Sequence, residues 1–131
     1  MNAAIEFHDS DVQAIAGSGD CLRVVFSGAY VHRSAGRPGI DAGAGYIQPA
    51  ELVFSHASWS APSSGCSGAI SDGALVVNGT SMSLVPLPFS ASGQISVNLT
   101  FTSGATFSAS AASVSCASAG ESRFVESYAA G

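Results

Sequence analysis

The sequence predicts an all-β domain, an antiparallel β-sandwich or partly open barrel of about eight to ten short strands. Almost no segment shows the helical spacing of apolar residues. Ile95, Val97, Leu99 and Phe101 alternate with Ser96, Asn98, Thr100 and Thr102, the period that buries one face of a strand and leaves the other wet. Turn dipeptides that accept positive φ, above all Asp72-Gly73 and Asn78-Gly79, punctuate the chain at short intervals.

The 131 residues are the length of one domain, so 1–131 is read as a single unit. Apolar residues make up 47% and mean hydropathy is positive, enough to fill a core. Charged residues are only 10%, Lys is absent, and Ser, Ala and Gly supply much of the rest. Four arginines against a net charge of −5 exclude a nucleic-acid partner, because that binding is driven by counterions released by clustered Lys and Arg. An anionic membrane surface is disfavoured for the same reason.

No apolar run approaches the ~20 residues that span a bilayer. Met1 to Ser10 lacks the basic start and apolar run of a secretory signal. Cys21, Cys66 and Cys116 are odd in number and widely spaced, the pattern of reduced, buried thiols rather than a disulfide framework. A cytoplasmic protein is expected, in which the sequons at Asn78 and Asn98 carry no meaning.

Along the chain, Ala4–Phe7 and Val12–Ile15 are read as strands. A helix over Ser10–Ala16, capped by Ser10, competes locally, but the segment is short and Gly17 and Gly19 follow it. Leu22–Arg33 and Tyr46–Ser55 are two long strands joined by the Gly-rich loop Ser34–Ala44. Ser58–Ser67 is a Ser/Pro/Gly connector with Trp59 packed on the domain's flank. Ala74–Val77 follows, and Met82–Leu87 belongs at an edge because Pro86 and Pro88 cannot donate to a ladder. Gln94–Thr102, Thr106–Ala111, Ser113–Ala117 and Arg123–Ser127 complete the set, with weaker turns at Ser103-Gly104 and Ala119-Gly120.

The stretch from Leu22 to His56 holds three of the four arginines, two of the three histidines and two of the three tyrosines. Pairing its two strands with Phe26 opposite Leu52 and Val24 opposite Phe54 places His32 opposite Tyr46 and Tyr30 opposite Gln48. All four then continue the core face to its rim, with Arg33 pointing away; a bulge at Gly28 or Pro49 reverses that parity. A Tyr-His-Tyr-Gln group at the open end of an apolar face either forms a pocket or caps the core.

The connecting loop carries Arg37-Pro38-Gly39-Ile40-Asp41, and connections of that length in compact domains are usually functional or mobile. Arg37 offers a planar fork to a carboxylate, and Ile40 is an apolar tip. His8 and Asp9, with Asp11, form a second polar knot. A metal there requires His8 to meet His32 or His56 in space, since no local ligand spacing exists. No metal and no cofactor is expected. Nucleophile elbow, P-loop and dinucleotide fingerprint are all missing, so an enzyme is not expected. The binding residues are taken as Tyr30, His32, Arg33, Arg37, Asp41, Tyr46 and Gln48, with His8 and Asp9.

Glu6-Phe7-His8-Asp9-Ser10, Tyr30-Val31-His32-Arg33, Gly45-Tyr46-Ile47-Gln48 and Arg123-Phe124-Val125-Glu126 together resemble short bacterial all-β proteins of uncharacterised function, over most of the chain. The opening Glu-x-His-Asp-Ser is also similar to that of small immunity-type proteins of bacterial toxin systems, over the first dozen residues. The expected function is a non-enzymatic interaction module that binds another protein. The alternatives are a barrel binding a small ligand at Tyr30, His32, Tyr46 and Gln48, or a metal-dependent hydrolase at His8 and Asp9. A surface so poor in charge also predicts a homodimer.

Overall fold

A computed structural model describes residues 1–129. Its elements are β1 (Asn2–Ser18), β2 (Cys21–Ser34), β3 (Gly43–Ser55), β4 (Ser58–Trp59), β5 (Gly68–Val77), β6 (Thr80–Met82), β7 (Leu84–Pro86), β8 (Phe89–Phe101), β9 (Thr106–Ser118) and β10 (Arg123–Tyr128). Every pairing is antiparallel. Among the described residues no helix is long and apolar enough to cross a membrane.

Six strands close into a ring in the order β1, β2, β3, β9, β8, β5 and back to β1. Closure comes from β3 pairing with β9, Ala50 opposite Ser118 through Ser55 opposite Ser113. The other four strands lie outside the ring: β10 on β3, β4 on β9, β6 on β5 and β7 on β1. The architecture is thus a closed barrel with outer strands, neither a two-sheet sandwich nor an open barrel. Closure removes the edges that six long strands would otherwise expose.

Period-two alternation fills the barrel. Ile95, Val97, Leu99 and Phe101 of β8 are all buried, as their spacing predicts. They meet Phe7, Phe26, Phe54, Leu22, Leu52 and Leu75, each at most 1% exposed. At ~25 cal/mol per Å2 of apolar surface removed from water, each such side chain contributes about 1.5–3 kcal/mol.

Several strands are longer than their apolar runs predict. The segments Ala4–Phe7 and Val12–Ile15 belong to the single strand β1, bent where its ladder with β2 breaks between Glu6 and Asp11. The Ser/Ala-rich segments at 106–111 and 113–117 are likewise one strand, β9. Asp72-Gly73 is no hairpin turn. It lies inside β5, where the register with β8 shifts between Ile70 and Asp72, and a Cβ on Gly73 would come 2.9 Å from Phe7. The Met82–Leu87 segment splits between the end of β6 and β7, and β7 lies outside the ring, a position that suits its Pro86.

Asn78-Gly79 does turn a hairpin, Val77 pairing with Thr80, with φ of 49° and 86° at the two turn residues. Trp59 of β4 packs on the core's flank against Gly17, where a Cβ would come into collision with its ring.

Candidate functional site

The region that gathers the sequence's polar residues is the end of the barrel where β2 runs into β3. In the barrel proper Val24 pairs with Leu52 and Phe26 with Ala50, two residues from the expected register but on the same face. The ladder then shifts between Phe26 and Ala29 and continues with Ala29 opposite Gln48, Tyr30 opposite Ile47, Val31 opposite Tyr46 and His32 opposite Gly45. The irregularity spans Ser27-Gly28, where a Cβ on Gly28 would stand 2.9 Å from Ile47. Ala29 and Val31 therefore join the core, and Tyr30 and His32 turn outward.

This corrects the predicted grouping. Tyr30, His32, Tyr46 and Gln48 do not share a face. Arg33 points away from His32, as alternation demands, but Arg33 is the one on the inner side. Its Nη2 donates to Gln48 Oε1 at 2.7 Å, and its guanidinium lies 5.2 Å from the Tyr46 ring centre. Gln48 Nε2 donates in turn to the Gly120 carbonyl at 2.8 Å. Phe124 of β10 meets Tyr46 edge-on, ring centres 5.7 Å apart. The polar groups of the rim thus bond largely to one another, although Arg33 Nε is buried without a partner and Arg33 and Gln48 line a cavity of about 240 Å3.

On the outer face Tyr30 and His32 join Glu6 of β1 and Glu126 and Tyr128 of β10. Tyr30 Oη donates to Glu126 Oε1 at 2.6 Å, Tyr128 Oη donates to the same oxygen at 2.8 Å, and the two phenols are in contact. The His32 ring lies 5.0 Å from that of Tyr30 and 5.4 Å from that of Tyr128, with its Nε2 3.4 Å from Glu6 Oε2. Burial first, then the bond to Glu126, pushes the Tyr30 phenol far above its usual range. The bonds from Tyr30 and then Tyr128 hold the Glu126 carboxyl below its own. Across β3, Gly45 leaves room for Tyr30: a Cβ there would collide with the phenol oxygen. The arrangement clasps β10 to β2 over the intervening strand.

Glu6, Glu126 and Tyr128 were not expected here. Glu126 and Tyr128 stand at the i, i+2 spacing of one strand face, but only the distant pairing of β10 with β3 brings them to Tyr30.

The Glu6-Phe7-His8-Asp9-Ser10 motif is a bulge. The ladder with β2 breaks between Glu6 and Asp11, and Asp9 has φ of 70°. Ser10, fully buried, bridges the gap: its Oγ donates to the Glu6 carbonyl at 2.5 Å and accepts the Tyr30 N–H at 2.9 Å. His8 and Asp9 are thereby pushed outward, His8 Nδ1 3.2 Å from Asp9 Oδ2. Together with Glu6 they place one ligand atom each within 4.8 Å of the others, close enough for one divalent cation. Among the described residues no second histidine joins that group: His56 pairs with Asp20 at 3.0 Å, and His32 approaches only Glu6 of the three, at 3.4 Å.

The connecting loop is short and internally bonded. Ser34 pairs with Gly43, leaving residues 35–42 between the strands. Arg37 donates from its backbone N–H to Asp41 Oδ2 at 2.7 Å, and its guanidinium spans both carboxylate oxygens at 3.3 Å. The Ile40 and Asp41 N–H groups donate to the Arg37 carbonyl at 3.1 and 2.9 Å. Ser34 Oγ donates to the Ala42 carbonyl at 2.7 Å and accepts from the Gly36 N–H at 3.0 Å. Gly39, with φ of 80°, packs close to Leu84 and His32. The Arg37 fork, predicted to await a partner's carboxylate, is thus occupied by Asp41. Ile40 is left 53% exposed at the tip. Pro38 of the same loop lines a groove of about 440 Å3 together with Met1, Ala3, Pro86, Leu87 and Pro88.

Comparison with protein-family models, with curated proteins and with solved structures found no match to this chain.

Proposed function

We propose that this chain is a cytoplasmic, non-enzymatic interaction module that binds another protein through the loop 35–42 and the apolar groove next to it. The observation that carries the reading is the internal lock of the loop by Arg37 and Asp41, which leaves Ile40 exposed on a shaped tip. A loop ordered before contact loses little conformational entropy on binding. An exposed apolar side chain on a loop that also lines a Pro-rich groove is the kind of surface a protein partner covers. Three thiols that stand unpaired suit the reducing cytoplasm.

The test is a hairpin graft. Because Ser34 and Gly43 are paired, residues 35–42 can be replaced by Asn-Gly, which closes two-residue hairpins without altering register. The grafted protein should keep the native circular dichroism spectrum and cooperative unfolding, and lose the partner that wild-type protein retains in its native host. Retention of that partner by the graft would refute the reading.

A further inference from the structure

We infer that β10 is a dimerisation edge, taken by β10 of a second copy of this chain in an antiparallel pair centred between Phe124 and Val125. Among the described residues β10 ends the strand order and pairs only with β3, so its far edge carries unpaired backbone groups. Phe124 is 57% and Val125 44% exposed, although both belong to a strand. β4, at the opposite end of the order, is only two residues long and offers no comparable edge.

The occupant follows from the residues of the strand. Read against itself in reverse, Arg123-Phe124-Val125-Glu126 sets Arg123 opposite Glu126 at both ends and Phe124 opposite Val125 twice. Opposite charges and apolar pairs at facing positions are what stabilise neighbouring strands. In a regular strand this register fails, because residues three apart point to opposite faces and a twofold partner needs them on one. The irregularity between Phe124 and Glu126 removes the obstacle. Arg123 lies opposite Ile47 and Glu126 opposite Gly45, and these pair in turn with Tyr30 and His32, which share the outer face.

The charges are also available. Tyr30 and Tyr128 both donate to Glu126 Oε1, leaving Oε2 to accept from the second copy's Arg123. Among the described residues Arg123 makes no ion pair. The second copy would thus bring a cation to a cluster that holds two carboxylates, Glu6 and Glu126. A twofold pair of this kind closes on itself and leaves no edge for a filament. Only four strand residues per copy, Arg123 to Glu126, face one another in this register, so the interface is small and the dimer weak, with a dissociation constant on the order of tens to hundreds of micromolar.

This inference does not rest on the loop 35–42, which its variants leave untouched. Sedimentation velocity across the micromolar to millimolar range tests it. Wild-type protein should pass from monomer to dimer and stop there. Arg123→Glu and Glu126→Arg should each weaken self-association by about tenfold or more, since like charges then face each other. An equimolar mixture of the two should form a heterodimer, because each supplies the charge the other needs. Arg123→Glu alone keeps the test decisive should Glu126→Arg disturb the clasp with Tyr30. Wild-type protein that stays monomeric throughout would overturn the inference and leave the edge to a strand of some other protein. Dimerisation of Arg123→Glu at wild-type strength would overturn it equally.

Discussion

The Ser10 hydroxyl accepts the Tyr30 backbone N–H and donates to the Glu6 carbonyl, replacing the ladder that the bulge interrupts. Ser10→Ala leaves a buried N–H without an acceptor, a cost of about 1–3 kcal/mol. Urea denaturation should show a lower midpoint with an unchanged slope. An unchanged midpoint would mean that water or the backbone takes over the bridge.

The clasp between β2 and β10 predicts a local effect. Tyr30→Phe removes the donor to Glu126, and Gly45→Ala puts a methyl where the phenol sits. Both should speed amide exchange in 123–128 while the barrel amides of β8 stay protected, since exposed outer strands open well below the global unfolding energy. Equal acceleration throughout would show that β10 unfolds only with the barrel.

Acid should loosen the loop before the barrel. The side-chain and backbone bonds from Arg37 hold the Asp41 carboxyl below the ordinary carboxylate range. A carboxyl whose folded pKa is depressed adds stability that is complete above its unfolded pKa and lost as pH falls through the folded one. Amide resonances of 36–41 should therefore titrate below about pH 4. Asp41→Asn should abolish that titration. The same transition persisting in Asp41→Asn would place its origin elsewhere.

Thiol accessibility follows from the fold. Cys66 and Cys116 are buried, and burial pushes the Cys116 thiol up to about 12, whereas Cys21 is partly exposed. A thiol reagent at neutral pH should label Cys21 first and the other two only on unfolding. Rapid labelling of Cys116 in native protein would contradict the closed β3–β9 seam, in which it pairs with Leu52.

The fold was legible wherever alternation was regular and turns were short. β8 and the Asn78-Gly79 hairpin are read directly from their residues. Barrel closure was not, because the β3–β9 pairing joins segments far apart in the chain, and the Ser/Ala-rich β9 signals neither face. The candidate site was half legible. Tyr30, His32, Arg33, Tyr46 and Gln48 do gather at one end of the barrel, but the irregularity at Ser27-Gly28 divides them between its two faces. Gly28 marked where parity could reverse without saying whether it does. Glu126 and Tyr128 depend on a pairing that no local pattern encodes. Arg37 and Asp41 are four apart and of opposite charge, so their mutual bond was available from spacing; the loop's length drew attention to an outside partner instead.

The central claim, that the locked loop is a protein-binding surface, is tested most directly by a photo-crosslinking residue at position 40 in the native host. The account predicts one discrete heavier adduct containing a different protein, absent when the same residue is placed at exposed position 121 (Glu121), outside the loop and just before β10. Adducts of equal pattern from both positions, or none from position 40, would contradict it.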